Sequence, residues 1–146
     1  MIDRSWIGQE LPAVSMTLER GRLRFFAKAI GETDPVYTDV EAAKRAGYAD
    51  LPAPPTFLFG AELDGGILDR LLADLKVPIA KILHGEQGFT YYRPACAGET
   101  ITVQSRIADI FDKKNGALEF IVKTSEARNA AGERVAELRS VIVVRN

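Results

Sequence analysis

Hydrophobic positions follow helical spacing through the first half of the chain and alternate in the second. Ala13 to Leu18 (AVSMTL) alternates and reads as a short strand. From Glu19 to Ile30, Leu23, Phe26, Ala27 and Ile30 fall at i, i+3, i+4 and i+7, one apolar helix face that Gly31 can terminate. Thr38-Asp39-Val40-Glu41 has the form of a capping box, with the Thr38 hydroxyl expected to accept from the Glu41 amide. Ala42, Ala43 and Ala46 extend that short helix to Gly47. Pro52, Pro54 and Pro55 keep Tyr48 to Ala53 irregular. A helix is then expected from Pro54 or Pro55, carrying Phe57, Leu58, Phe59, Ala61 and Leu63. The Gly65-Gly66 pair interrupts it, and Ile67, Leu68, Leu71, Leu72 and Leu75 form the face of a second segment. Met1 to Pro12 reads as an arm, with Trp6 and Ile7 as its expected anchors.

From Ile79 onward the period is two. Ile82 to Tyr92 predicts a strand, joined through Arg93 to Glu99 to a second over Thr100 to Phe111, with Ile101, Val103 and Ile107 on one side. Asn115-Gly116 is a strong hairpin signal. Ala117 to Arg128 returns, with Leu118, Phe120 and Val122 expected on one face. Arg134 to Val144 closes the series with Leu138, Ile142 and Val144. Helices followed by an antiparallel meander make an α+β layout. The 146 residues show no repeat, low-complexity tract or linker, so a single domain over 1–146 is expected.

Composition narrows the function classes. Nineteen Lys and Arg against twenty Asp and Glu leave a net charge of −1, without the basic excess of a nucleic-acid binder or a membrane-surface helix. The N-terminus lacks the apolar core of a signal peptide, and no apolar run is long enough to span a bilayer, so a cytoplasmic protein is the default expectation. One cysteine, Cys96, excludes an internal disulfide, and one histidine, His84, argues against a zinc cluster. No metal or cofactor is expected.

Two motifs carry a resemblance. Gly31-Glu32-Thr33-Asp34-Pro35-Val36-Tyr37 resembles the Gly-Asp-x-Asn-Pro-x-His stretch of the MaoC-like (R)-specific hydratases and dehydratases. Leu83 to Ile110 (LHGEQGFTYYRPACAGETITVQSRIADI) is similar to the strand-turn-strand of their N-terminal halves, the FAS1-like dehydratase type. The likeness covers nearly the whole chain. It implies a hot-dog fold, in which a curled antiparallel β-sheet wraps a long central helix. It also implies an acyl-CoA or acyl-ACP thioester as ligand. The implied assembly is a homodimer, or a heterodimer with a MaoC-type hot-dog subunit, with the thioester site between two hot dogs.

In that family the motif Asp and His handle water, and a backbone amide at the central helix holds the thioester oxygen. Here both catalytic letters differ. Glu32 is one methylene longer than Asp, and Tyr37, a phenol ordinarily near pKa 10, replaces the imidazole. Ala53-Pro54-Pro55 stands where an amide donor is wanted; proline has none, so Thr56 supplies the first N–H. Glu32, Tyr37 and His84 are the candidate catalytic residues, and Asp34, Pro55, Thr56, Phe57 and Phe59 the candidate substrate-binding ones. Glu32 and Asp34 are equally readable as turn residues, His84 as a structural hydrogen-bonding residue, and the phenylalanines as core. Cys96 has no adjacent base, and Arg93 either fixes its turn or meets a coenzyme A phosphate.

Three functions follow from these readings. The chain is one half of an enoyl-thioester hydratase or 3-hydroxyacyl-thioester dehydratase that relies on a partner for the Asp/His pair. Alternatively it is a self-sufficient homodimeric hydratase or thioesterase, or a non-catalytic acyl-thioester-binding hot dog.

Overall fold

The computed structural model describes residues Met1 to Asn146. Five strands form one antiparallel sheet: β1 (Val14–Thr17), β2 (Ile82–Tyr91), β3 (Thr100–Lys113), β4 (Leu118–Arg128) and β5 (Arg134–Arg145). Their spatial order is β1-β3-β4-β5-β2, which leaves β1 and β2 as edges. Four helices complete the fold: α1 (Arg20–Ala29), α2 (Val40–Arg45), α3 (Phe59–Asp64) and α4 (Ile67–Asp74). The curled sheet packs around this helical core as a hot dog.

The central helix comes in two pieces, α3 and α4, broken at the expected glycine pair for two separate reasons. Gly66 takes a left-handed φ of 69°. Gly65 lies so close to β1 that a Cβ there would sit 2.5 Å from Val14 Cγ1.

Three local expectations are corrected. The helix does not begin at Pro54 or Pro55. Tight turns run from Pro54 to Phe59, with the Phe57 amide on the Pro54 carbonyl at 3.1 Å, and α3 starts only at Phe59. Thr56 has φ 77°, and one left-handed residue prevents the helical ladder from running through it. The cap of α2 is Asp39, not Thr38: the Asp39 carboxylate accepts from the Glu41 amide at 2.9 Å. Thr38 instead ends the preceding 3-10 turn, and its carbonyl accepts from Arg24 Nε at 2.8 Å. In the N-terminal arm, Ile7 is exposed; Ile2 and Leu11 are buried, and Trp6 packs beside them.

Leu118, Phe120 and Val122 share one face of β4 as expected, with Val122 buried, but the opposite, inward face, Ile121, Lys123, Ser125 and Ala127, is buried at every position. Phe120 lies on the other face, its ring stacked on Phe111 at 4.8 Å under the Lys113 ammonium. The inward set includes a charged residue because the core is divided. One apolar cluster joins Leu23, Leu51, Phe57, Ala61, Val103, Ala127 and Leu138. The other joins Ile67, Leu71, Ile107, Ile121 and Ile142. Between them lies a buried polar belt of Glu62 from α3, Ser105 from β3, Lys123 and Ser125 from β4, and Ser140 from β5.

Candidate functional site

The loop after α1 is built by its own side chains. Gly31, at φ 73°, turns the chain out of the helix, and the Glu32 amide closes the end on the Ala27 carbonyl at 2.9 Å. Glu32 Oε1 then accepts from the amides of Thr33 and Asp34, at 2.9 and 3.0 Å. Asp34 Oδ1 accepts from the Val36 amide at 3.0 Å and caps a 3-10 turn, Pro35–Tyr37, whose first residue is proline. One Glu32 oxygen is therefore occupied in shaping the loop.

This turn delivers Tyr37, half-buried, toward Tyr48 and Tyr91. Burial raises the Tyr37 phenol above its ordinary value, and Tyr48, Glu32, Asp34 and Tyr91 push it the same way. At neutral pH it is a held proton and not a base. Tyr91, at the end of β2, also reaches the turn before α3: the Thr56 amide donates to the Tyr91 hydroxyl at 2.7 Å. The first available amide of that turn is thus already engaged. Pro55 and Thr56 are exposed beside it. The structure gathers Glu32, Asp34, Tyr37 and, through Tyr91, Thr56 into one locality.

His84 lies elsewhere. It sits seven residues before Tyr91 on β2, about 20 Å away along an extended strand. Its Nε2 lies 3.1 Å from both the Glu86 carbonyl and Gln87 Oε1, and its ring packs on Phe59 at 5.1 Å. Together with Phe59, Leu63 and Ile67 it lines a cavity of about 50 Å³ that ends on Glu62 and Lys123. Phe57 is core: it is buried and meets Phe26 edge-on at 5.2 Å. Of the apolar candidates, Phe59 borders open space and Phe57 does not.

Two further candidates have structural roles. Arg93 pairs with Glu133 across the β-turn region. Cys96 is buried, and burial pushes its thiol up, away from nucleophilic chemistry. No group of three or more His, Cys, Asp or Glu is placed to hold a metal ion, and no helix is long and apolar enough to cross a membrane.

Sequence reasoning missed Tyr91 and the pair Glu62–Lys123. Tyr91 gives no periodic signal at a strand end. Lys123 Nζ lies 2.6 Å from Glu62 Oε1, and the two side chains are 5% and 3% exposed. The one available signal was that Lys123 and Ser125 fall between Ile121 and Ala127 on a single alternating face.

Comparison with known proteins agrees with this architecture. Residues 5–138 match the FAS1-like dehydratase domain region. A UPF0336 protein of Streptomyces avermitilis is 36% identical over 147 residues, covering 99% of this chain and 95% of that protein. A chain of the C-terminally truncated HadBC (3R-hydroxyacyl-ACP dehydratase) complex from Mycobacterium tuberculosis superposes with TM-score 0.81 at 25% identity. That match covers 94% of this chain and 96% of the other. A MaoC-like dehydratase superposes with TM-score 0.86 at 24% identity, covering 97% of this chain and 43% of that one. The chain belongs to the FAS1-like dehydratase domain family, and it shares its fold with the MaoC-like dehydratase.

Proposed function

We propose that this chain is the non-catalytic half of an (R)-specific 3-hydroxyacyl-thioester dehydratase, or enoyl-thioester hydratase run in reverse. It binds acyl substrate and pairs with a second hot dog that brings the Asp/His pair. The observation carrying this reading is the state of the motif loop. A hydration site needs a base for water and free donors for the thioester oxygen. Here one oxygen of Glu32 is tied to two loop amides, Tyr37 keeps its proton, and the Thr56 amide is spent on Tyr91.

The edge strand supports the partnering half of the proposal. Along ten residues of β2 most side chains are exposed, with Leu83 and Tyr91 each about half-exposed. A long open edge of this kind is a template for a neighbouring strand. The likeness to a chain of the HadBC complex points the same way. The partner's Asp and His would take the acid-base steps, while this chain contributes one wall of the cleft.

The test is to assay hydration of a trans-2-enoyl thioester by this chain alone, and again after mixing with a MaoC-type hot dog that carries the intact motif. The proposal expects near-silence alone and turnover in the mixture above that of the partner by itself. Equal rates with and without this chain would overturn it.

A further inference from the structure

The hydrogen bond between Thr56 and Tyr91 runs one way. A backbone amide can only donate, so the Tyr91 hydroxyl is the acceptor at 2.7 Å and keeps its own proton, which goes to no acceptor in the protein. A phenolic hydrogen lies in the plane of its ring and has two positions there. The Thr56 amide occupies one side of the oxygen, so the O–H points to the other. Tyr91 is 47% exposed, and Pro55 and Thr56 beside it are exposed as well, so this unused donor sits at the surface.

The donor is held in place from two directions. The Tyr91 ring stacks on Phe89 at 5.8 Å with the planes 4° apart, which fixes its tilt on β2. The amide that grips its oxygen comes from a turn in which Thr56 holds φ 77°, a sparsely populated conformation for a β-branched residue. A hydroxyl that accepts one hydrogen bond also becomes the stronger donor of the next. The Thr56 amide therefore sharpens the Tyr91 O–H as well as placing it.

The surroundings select what such a donor can hold. Tyr37 neighbours Tyr91 on one side and the carboxylates of Glu32 and Asp34 on the other. A phosphate or carboxylate guest would meet those like charges, and an alkyl group would leave the Tyr91 proton idle. A neutral acceptor suits the place, and the neutral acceptor beside the reacting carbons of an acyl thioester is its carbonyl oxygen. We infer that Tyr91 holds the thioester carbonyl: its O–H donates to the carbonyl oxygen, and the Thr56 amide acts at one remove, through the Tyr91 oxygen. The inference rests on the acyl-binding reading above and adds to it the residue of this chain that orients the thioester, with Thr56 as a positioning residue.

The test compares a saturated acyl-coenzyme A with its thioether analogue, in which a methylene replaces the carbonyl. Dissociation constants are measured by calorimetry on wild type and Tyr91→Phe, each alone and mixed with a motif-intact hot dog. The substitution is expected to weaken the thioester about fivefold, the scale of one neutral hydrogen bond, and to leave the thioether unchanged. The infrared stretch of an isotope-labelled carbonyl is the second readout: bound to wild type, it should lie at lower frequency than bound to Tyr91→Phe. Should that variant not fold, Tyr91→fluorotyrosine, whose hydroxyl is the stronger donor, should lower the frequency further; an unmoved band overturns the inference. Thioester affinity that is the same in wild type and Tyr91→Phe overturns it too and leaves the acyl-binding reading standing. An equal loss of both ligands makes Tyr91 a structural residue, with the same consequence. Failure of the wild type to bind either compound, with or without the second hot dog, removes the acyl-binding reading as well.

Discussion

Thr56 gives its amide to the Tyr91 hydroxyl at 2.7 Å, joining the turn before the central helix to the end of the open edge strand. Thr56 holds φ 77°, a conformation that a β-branched residue adopts only when its surroundings impose it. Tyr91 is half-exposed and stacks on Phe89 at 5.8 Å with nearly parallel rings. Removing its hydroxyl leaves the Thr56 amide without that partner. Tyr91→Phe is expected to lower stability by about 1 kcal/mol, the ordinary net worth of one hydrogen bond. Chemical denaturation checks this; an unchanged midpoint would show that the bond contributes nothing.

The buried pair is a sharper case. Lys123→Met alone leaves the Glu62 carboxylate buried with two serine donors and no counter-charge, a change expected to cost about 3–5 kcal/mol. Adding Glu62→Leu should recover most of that loss, since no uncompensated charge remains. Urea melts of the two single variants and the double variant form the thermodynamic cycle. Additive losses would contradict the coupling that the 2.6 Å contact implies.

A different ion pair sets a pH dependence. Arg20 grips Asp50 through Nε at 3.0 Å and Nη2 at 2.6 Å, and the Leu51 amide adds a third bond at 2.7 Å. Held chiefly by Arg20, the Asp50 carboxyl falls to about 2, against about 3.9 in an unfolded chain. A folded value below the unfolded one means that the unfolded state binds more protons between the two. The stabilisation is therefore complete above about pH 4 and is lost as pH falls through about 2. The stability gap between wild type and Asp50→Asn should shrink across that window. A gap of constant size from pH 6 to pH 2 would rule out this linkage.

The open edge makes its own prediction. Leu83 is 49% exposed on β2, in a strand with few other cover groups. Leu83→Lys is expected to weaken association through this edge with little effect on the fold, because a charge on an edge opposes strand pairing. Sedimentation of wild type and variant, alone and with a motif-intact hot dog, measures it. If neither self-association nor pairing changes, the interface lies elsewhere.

The features legible in the sequence are those set by neighbours in the chain. The Asn115-Gly116 turn lies between β3 and β4, and the Gly65-Gly66 break lies between α3 and α4, because local backbone geometry dictates both. Which face of β4 packs inward was illegible, because both faces carry apolar residues and the inward one includes a lysine and a serine. Phe120 finds its partner on the outer face, in Phe111, while Lys123 turns inward to Glu62, 61 residues away. That pairing, like the meeting of Thr56 with Tyr91, 35 residues apart, exists only once the helix lies across the sheet. Thr38 carried the right letters for a cap, yet the 3-10 turn before it consumed that position and passed the role to Asp39. Proline before Thr56 predicted a helix start, and one left-handed residue postponed it to Phe59.

The most direct test of the central claim is the hydration rate of a trans-2-enoyl thioester by the purified chain, beside Glu32→Gln and Tyr37→Phe variants shown to fold. General bases and oxyanion donors are each worth at least about a hundredfold in rate. With one Glu32 oxygen tied to two loop amides, Tyr37 holding its proton and the Thr56 amide engaged, the chain should show little turnover, and the two substitutions should change that residual activity hardly at all. Robust turnover by the chain alone, abolished by Glu32→Gln in a folded protein, would contradict the account and make this loop a complete active site.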